Sequence, residues 1–268
     1  MPRIPSEYLN CVVYLYPSED AAKEGVALGG SGFLVGIRQG TEPTERLYAI
    51  SNSHVIKEAA CKVLRFNTRN SEPRTHAIAN WEWTHHPDGD DIAVASFPIL
   101  EDHERSFVPG EMFITPQFMQ EYEISPGMET FMMGRLIRLD GKLKNNPSVR
   151  FGHLAMLPQS APHPRGLKQE SFVVEMMSIG GYSGSPVFIY EHQTILPGDT
   201  SMRFPGLRLL GINWGHHPTT LRVYEKLRSS FEKTDLWVKS NSGMANVAPA
   251  WKIKEAIEEH ARVQGHSS

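Results

Sequence analysis

The sequence predicts an all-β fold of two antiparallel six-stranded β-barrels, followed by a C-terminal α-helix. Short apolar segments recur along the chain between turn residues, which is typical of antiparallel barrels. Residues 100–125 contain Pro109 and Pro116 and divide these segments into two groups. The last segment places apolar residues at helical spacing. We therefore expect units at residues 1–108 and 109–248, with a closing segment at 249–268.

The predicted strands fall into two sets of six. Those of the first barrel are residues 8–16, 32–37, 47–51, 61–67, 77–83 and 92–97. Those of the second barrel are residues 129–139, 148–156, 171–176, 186–190, 207–213 and 244–247. A chain of 268 residues with 40% hydrophobic content is long and apolar enough to bury the core that such an arrangement needs.

The closing segment reads as an amphipathic helix. Residues 249–263 place Trp251, Ile253, Ile257 and Ala261 at helical spacing, with lysine and glutamate between them. This pattern predicts a helix packed on the second barrel. A helix that binds a partner is the alternative.

Composition argues against several classes of function. The net charge is −3 with scattered Lys and Arg, which favours neither nucleic acid nor an anionic membrane as a partner. No segment approaches membrane-spanning length, and no secretory signal is visible. The two cysteines, Cys11 and Cys61, are too few for the disulfide framework of a secreted enzyme. We expect a cytoplasmic protein with two reduced thiols, unless a signal has been removed from the chain.

Ser183 is the candidate nucleophile. It lies in the run GGYSGSP at residues 180–186. A serine that attacks a carbonyl needs a neighbouring base and preorganised donors for the oxyanion, and glycines let main-chain N–H groups approach closely enough to supply them. The alternative is a plain turn before the apolar strand that follows.

Two other segments supply a base and an acid. Residues 48–55, YAISNSHV, form an apolar strand that ends in small polar residues and His54. Residues 88–95, DGDDIAVA, place acids immediately before another apolar strand. An acid there can accept the second ring N–H of a histidine and fix its tautomer. Asp90 and Asp91 both compete for this role.

Together these segments resemble the chymotrypsin/trypsin-like serine peptidases, in particular their bacterial HtrA-like branch, here without a PDZ domain. AISNSHV at 49–55 resembles the base motif, DIAV at 91–94 the acid motif and GYSGSP at 181–186 the nucleophile motif. Further similar segments, in register with the family, are GGSGFLV at 29–35, LGINWG at 210–215 and GMANVAP at 243–249. The order His, Asp, Ser differs from that of the α/β-hydrolases.

The resemblance implies a serine endopeptidase that hydrolyses peptide bonds through an acyl-enzyme. Ser183 would attack, His54 would move the proton, and Asp91 would orient His54, because the acid of the motif directly precedes the isoleucine. The N–H groups of Gly181 and Ser183 would bind the oxyanion. No cofactor and no metal is implied. The alternatives are a non-catalytic peptide-binding protein with the same fold and an esterase.

The resemblance also implies a polypeptide substrate and a pocket for its side chain. The floor would lie at Met177, with Ser178 beside it and Asn213, Trp214 and Gly215 along one wall. No acid stands at Met177, so we expect preference for a small or medium apolar residue. The resemblance does not predict an oligomeric state.

Departures from the family raise further expectations. Tyr182 stands where zymogen-activated members have an aspartate, so the oxyanion turn must be held in another way. Asn213 replaces a serine, which leaves its role open. Two insertions, residues 191–205 and 216–242, read as long loops near the cleft.

The remaining histidine pairs are weaker signals. His85 and His86, with Asp88 and Asp90, are either a metal site or a loop that leads into Asp91, and ligands so close along a turn rarely converge. His216 and His217 read as an exposed turn, with contact to bound peptide as the alternative.

Overall fold

The computed structural model describes residues 4–26, 29–38, 45–69, 72–99, 106–137, 139, 141, 144–162, 166, 168–191, 204–226 and 230–265. The strands are β1 Val12–Tyr16, β2 Gly30–Arg38, β3 Glu45–Ser51, β4 Val63–Asn67, β5 Pro73–Ala77, β6 Thr84–His85, β7 Ala93–Phe97, β8 Val108–Pro109, β9 Glu129–Gly134, β10 Ser148–Pro162, β11 Lys168–Glu175, β12 Pro186–Tyr190, β13 Arg208–Lys226 and β14 Phe231–Pro249. The α-helices are α1 Ser6–Asn10, α2 Glu19–Glu24, α3 Ser53–Lys57, α4 Pro116–Glu121 and α5 Ala250–Val263. Short 3-10 helices lie at Asn80–Glu82 and Gly110–Met112.

The first sheet is a half-barrel. Its strands follow the order β5-β4-β1-β2-β3-β7-β6, and β8 pairs in parallel with β2. Every residue of β1 is buried, because side chains on its two faces enter different cores. Val13 and Leu15 pack inside the half-barrel, whereas Val12, Tyr14 and Tyr16 face the second barrel. The half-barrel is thus covered on both faces.

The second sheet is a closed barrel. Its six strands follow the order β10-β11-β14-β13-β12-β9. Its core includes Phe131 and Phe188, whose rings stack with centroids 5.2 Å apart. The predicted all-β fold of two barrels with a C-terminal helix is confirmed. The predicted boundary at residues 108 and 109 falls inside β8, and the division into units stays a prediction.

The helix α5 forms where its apolar spacing predicts it, and it contacts both sheets. Ile253 and Ile257 are buried in the shared core, and the Trp251 ring lies 5.7 Å from that of Phe172 in β11. His260 is also buried, and its two ring nitrogens lie 2.8 Å from Thr84 Oγ1 and 2.9 Å from Ser96 Oγ. Since these two residues belong to β6 and β7, the helix joins the second barrel to the first.

Two strand predictions for the first barrel are wrong in part. Residues 8–10 lie in α1, and the strand begins only at Val12. Residues 80–82 form a 3-10 turn, because the Glu82 carboxylate accepts the N–H of Ala79 at 2.6 Å. The side chain of Trp81 is 80% exposed. The fifth strand instead occupies Pro73–Ala77.

The two predicted insertions differ in outcome. Residues 192–203 of the first insertion lie outside the described residues. The prediction of a loop at residues 216–242 is wrong: β13 and β14 continue through it as a hairpin. Alternating apolar and polar residues sustain the pairing there, with Leu221 opposite Val238.

Cys11 and Cys61 are buried free thiols, in line with the expectation of two thiols. Burial raises the pKa of Cys61 to about 11, which keeps the thiol protonated near neutral pH. None of the helices described here has the length and apolar character that crossing a membrane requires.

Candidate active site

His54 and Asp91 form a close pair at the end of two strands. His54 is the second residue of α3, which begins just after β3 ends at Ser51. Its Nδ1 lies 2.5 Å from Asp91 Oδ2, and its main-chain N–H donates to Asp91 Oδ1 at 2.9 Å. The Asp91 side chain is 2% exposed and that of His54 26%. A buried acid therefore fixes one ring nitrogen while the ring still reaches solvent.

The main chain of Asp91 is held on both sides. Asn52 Nδ2 donates to the Asp91 carbonyl oxygen at 2.7 Å. The Asp91 N–H donates to Oε1 of Gln169 at 2.9 Å. Gln169 belongs to β11 of the second barrel, so the acid carried by the first barrel is also positioned by the second. No motif pointed to Gln169 in the sequence.

Asp90 faces away from His54. Its Oδ2 lies 3.7 Å from His86 Nδ1 and 3.9 Å from Lys252 Nζ. Burial raises the pKa of Asp90, although His86 and Lys252 act in the opposite direction. Of the two candidate acids, Asp91 is thus the one that the structure places against the histidine.

The turn that carries Ser183 requires glycine at two positions. Gly181 and Gly184 have φ of +97° and +85°, which L side chains rarely adopt. A Cβ on Gly184 would also lie 2.0 Å from the Ser31 carbonyl oxygen in β2. The turn therefore packs directly on the half-barrel.

Gly30 brings the same turn close to the base. A Cβ on Gly30 would lie 2.7 Å from the side chain of Val55, the residue after His54, and 3.0 Å from the Ser183 carbonyl oxygen. Among the residues that the structure describes, His54 Nε2 and Ser183 Oγ do not form a hydrogen bond with each other. Catalytic hydrogen bonds are often long without substrate.

Ser31 holds the turn in the absence of the family's aspartate. Its hydroxyl donates to the Gly181 carbonyl oxygen at 2.7 Å and accepts the N–H of Arg135 at 2.9 Å. Its own N–H donates to the Ser183 carbonyl oxygen at 2.8 Å. Within the described part of the chain, the N–H groups of Gly181 and Ser183 have no acceptor. They are therefore free to bind an oxyanion.

Tyr182 is buried beneath the turn. Its hydroxyl contacts Ser148 Oγ, and the Arg150 guanidinium lies 4.9 Å from its ring centroid. Its carbonyl oxygen accepts Nδ2 of Asn213 at 2.8 Å. A buried tyrosine ring beside an arginine thus stands at the position where zymogen-activated members have an aspartate.

The comparisons with known proteins give structural neighbours only. No family model matches the sequence, and no curated protein shows significant similarity to it. The protease domain of MamO from Magnetospirillum magneticum, in its apo form, superposes with a TM-score of 0.54 at 15% identity over 92% of this chain and 96% of that one. A serine-to-alanine mutant of Rv3671c from M. tuberculosis H37Rv, in an inactive form, gives 0.51 at 14% identity over 97% and 90%.

The chain has a trypsin-like double-barrel fold. The resemblance seen in the sequence is confirmed at this level, because both structures cover nearly the whole chain. At these identities the likeness establishes the fold alone, and the roles of the site residues rest on the geometry.

Asn213 has a clear position in this trypsin-like fold. Its Nδ2 donates to Ser178 Oγ at 3.1 Å in addition to the Tyr182 carbonyl oxygen. Its main chain pairs with the nucleophile turn, since Gly184 N–H donates to its oxygen and its N–H donates to the Ser185 oxygen, both at 2.9 Å. Asn213 therefore joins the turn to β13 and does not contact Asp91 among the described hydrogen bonds.

The other residues of the expected pocket differ in exposure. Ser178 is 2% exposed and Trp214 5%, whereas Met177 is 45% exposed. Trp214 Nε1 donates to Ser171 Oγ at 2.9 Å, and the position of Gly215 is open, with no atom within 4 Å of an added Cβ. The structure thus brings Ser178, Asn213 and Trp214 together. Met177 is more exposed than a residue at the floor of a closed pocket would be.

A cavity of about 560 Å³ lies beside Ser171, which forms part of its lining. It is lined mainly by apolar residues of β10, β11 and β14, including Met156, Val173 and Met244. His217 also lines it. This histidine belongs to β13, so the expected turn at His216 and His217 is wrong, although His216 is exposed.

The candidate metal ligands form an ion-pair network. His86, Asp88 and Glu255 place their ligand atoms within 4.8 Å of one another. Lys252 Nζ lies 2.9 Å from Glu255 Oε2 and 3.8 Å from Asp88 Oδ2. An ammonium group therefore already neutralises these carboxylates and would repel a cation.

Proposed function

We propose that the protein is a serine endopeptidase with Ser183 as nucleophile, His54 as general base and Asp91 as the acid that orients His54. The observation that carries the proposal is the His54–Asp91 pair, 2.5 Å apart, in contact with the sheet on which the Ser183 turn packs. The two unpaired N–H groups of the turn add the feature that acyl transfer needs.

The geometry suits a two-step reaction. Ser183 Oγ would attack the scissile carbonyl carbon while His54 Nε2 takes its proton. Asp91 would stabilise the imidazolium through Nδ1–H, and the N–H groups of Gly181 and Ser183 would bind the oxyanion. His54 would then give the proton to the leaving amine, and water would hydrolyse the acyl-enzyme by the reverse sequence. Each step uses side chains and main-chain N–H groups of this chain.

The topology suits a polypeptide substrate. Asn213 in β13 pairs with the nucleophile turn, so Trp214 and Gly215 continue the strand directly past the site of attack. An extended substrate can pair with the edge of such a strand, with main-chain hydrogen bonds for affinity. The open, half-buried position of Gly215 leaves room for that main chain.

A fluorophosphonate probe tests the proposal. Wild-type protein should be labelled, and Ser183→Ala should abolish labelling. Ser185→Ala is the matched control, because Ser185 lies two residues away, is fully buried and should not affect labelling. Wild-type protein should also cleave an unfolded protein substrate. Labelling without cleavage of protein, but with hydrolysis of small esters, would indicate an esterase, and absence of labelling would indicate a binding protein.

A further inference from the structure

The chain between β9 and β10 lies against the nucleophile turn. We call its described residues the connection: 135–137, 139, 141 and 144–147. A Cβ added to Gly181 would lie 2.6 Å from the Arg135 carbonyl oxygen and 2.9 Å from the Ile137 side chain. At the exit of the connection, Ser148 Oγ contacts the Tyr182 hydroxyl. The two residues directly before the nucleophile therefore pack against the connection and its exit.

Arg65 in β4 of the first barrel holds the middle of the connection. Its Nε donates to Asn145 Oδ1 at 2.8 Å, and its Nη2 donates to the Gly141 carbonyl oxygen at 2.7 Å. Asn145 Nδ2 donates to the Arg65 carbonyl oxygen at 2.6 Å. Arg65 is 1% exposed and Asn145 is fully buried. Hydrogen bonds from a charged donor are stronger than neutral ones, so the connection is firmly joined to β4.

Asn67 holds the same asparagine from a second position. It lies two residues after Arg65, on the same face of β4. The Asn145 N–H donates to Asn67 Oδ1 at 2.8 Å, and the Asn145 carbonyl oxygen accepts Asn67 Nδ2 at 3.0 Å. Arg65 is itself fixed by Ala22 of α2, whose carbonyl oxygen accepts Nη1 at 2.9 Å, and by the Tyr16 ring, 5.2 Å away. Every polar group of Asn145 is thus bonded to a strand that is rigidly held.

We propose that Arg65, acting through Asn145, holds the connection against Gly181 and thereby positions the two oxyanion donors. Arg65 is then a positioning residue, and the inference rests on the proposed function. Donors stabilise an oxyanion most when they are aimed before the charge develops. Ser31 binds the Gly181 carbonyl oxygen at 2.7 Å, and the connection lies beside the Cα of the same residue. The N–H groups of the turn are therefore fixed by the first barrel both directly and through the connection.

The alternative is that Arg65 only joins the two barrels. Its replacement would then lower the free energy of unfolding, and the folded molecules would keep the wild-type kcat. If Arg65 positions the oxyanion donors, the folded variant itself turns over more slowly, because those donors act mainly in the transition state. KM then changes little, and the two roles differ in kcat.

Arg65→Lys is the test variant. Lysine keeps the charge but lacks the planar fork that donates to three segments at once. We expect kcat on a peptide substrate to fall by roughly tenfold or more, since a misplacement of about 1 Å can cost up to about a hundredfold. Asn10→Ala is the matched control and should keep the wild-type kcat. Asn10 Oδ1 accepts Asn67 Nδ2 at 3.1 Å, so this variant removes a hydrogen bond of the same network that does not involve the connection.

A measurement on the free protein separates this inference from the proposed function. With isotope-labelled glycine and serine, the amide resonances of Gly181 and Ser183 report the position of the two donors whether or not the protein is an enzyme. They should shift in Arg65→Lys and stay in place in Asn10→Ala. If they do so while wild-type Ser183 fails to react with the fluorophosphonate, the proposed function is wrong and the link from Arg65 to the turn stands.

Asn145→Ala covers the case in which Arg65→Lys does not fold. It breaks the same link at the connection, while Arg65 keeps its other hydrogen bonds. It should shift the Gly181 resonance and lower kcat in the same way. Unchanged resonances, or a kcat equal to that of an active wild type, overturn the proposal, and so do equal changes in Asn10→Ala.

Discussion

Gln169 and Asp91 are joined across the two barrels by a hydrogen bond of 2.9 Å from the Asp91 N–H to the Gln169 side-chain oxygen. Gln169 is 2% exposed. The residues that follow it tie the same strand to other parts of the site, since Glu170 Oε2 accepts Trp251 Nε1 at 3.2 Å and Ser171 Oγ accepts Trp214 Nε1 at 2.9 Å. Three consecutive residues of β11 thus contact Asp91, the closing helix and β13.

Gln169→Met should lower kcat while leaving KM nearly unchanged. The variant keeps the length of the side chain but leaves the Asp91 N–H buried without an acceptor, so the acid shifts relative to His54. Misplacement of a catalytic group by about 1 Å can cost up to roughly a hundredfold in rate. Steady-state kinetics on a peptide substrate is the measurement. Glu170→Gln is the control, and wild-type kcat in Gln169→Met would argue against a positioning role.

His54→Ala and Asp91→Asn should each lower turnover by roughly three orders of magnitude or more without unfolding the chain, because triad residues act as a unit. Asp90→Asn should have a small effect on turnover, since the Asp90 carboxylate faces His86 and Lys252. Steady-state kinetics compares the turnover of the three variants, and circular dichroism checks that each of them folds. A larger loss in Asp90→Asn than in Asp91→Asn would reverse the assignment of the acid.

Activity should not depend on cleavage of the N-terminus. Zymogen activation by a new N-terminal amine needs an acid before the nucleophile, and this chain has Tyr182, packed against Ser148 and Arg150. Ser31 and Asn213 already hold the turn. Turnover should therefore be the same for chains with different N-terminal extensions. Activity that appears only after a defined cut would contradict this expectation.

Asp90 should make the stability of the protein depend on pH. Burial raises its pKa in the folded protein above the ordinary value of 3.8, so the folded state binds the proton more tightly than the unfolded state. The stabilising contribution is then present below the ordinary pKa and is lost as pH rises through the raised one. Four other titratable groups face the Asp90 carboxyl, and the Asp90→Asn variant keeps all of them: His86, Lys252, Asp88 and Glu255.

Urea denaturation of wild-type protein and Asp90→Asn at several pH values measures this effect. The free energy of unfolding of wild type minus that of the variant should fall as pH rises above 3.8. A difference that grows with pH would show that His86 and Lys252 outweigh burial.

The sequence predicted the motifs that depend on local chemistry. The strand ends that carry His54 and Asp91, and the turn at Ser183, follow from apolar segments that stop at small polar residues, and the structure has β3, β7 and β12 beside them. The spacing of Ile253 and Ile257 likewise predicted α5.

Features that depend on distant partners were missed. Ser31 and Gln169 are ordinary polar residues in strands, and their contacts to Gly181 and Asp91 span 150 and 78 positions. Residues 216–242 were taken for a loop because they read as an insertion before the last strand, and only the pairing of β13 with β14 along them reveals the hairpin. The 3-10 turn at Trp81 depends on a single side chain, Glu82.

The residue before the scissile bond should be small or medium and apolar. Ser178 and Asn213 are buried and neutral, and Met177 offers a thioether where a basic side chain would need an acid. Cleavage sites in a mixed peptide library measure the preference. Dominant cleavage after Arg or Lys in wild-type protein would contradict it.

Met177→Asp sharpens the same test, because the side chain is 45% exposed and the variant should fold. An exposed ion pair stabilises by at most about 1 kcal/mol, so the relative rate after Arg and Lys should rise by up to about fivefold. Met156→Asp is the control, since Met156 is similarly exposed at 43% but lines the cavity beside Ser171. If both variants change the preference equally, Met177 does not contact the substrate residue, and the pocket must be assigned to other side chains.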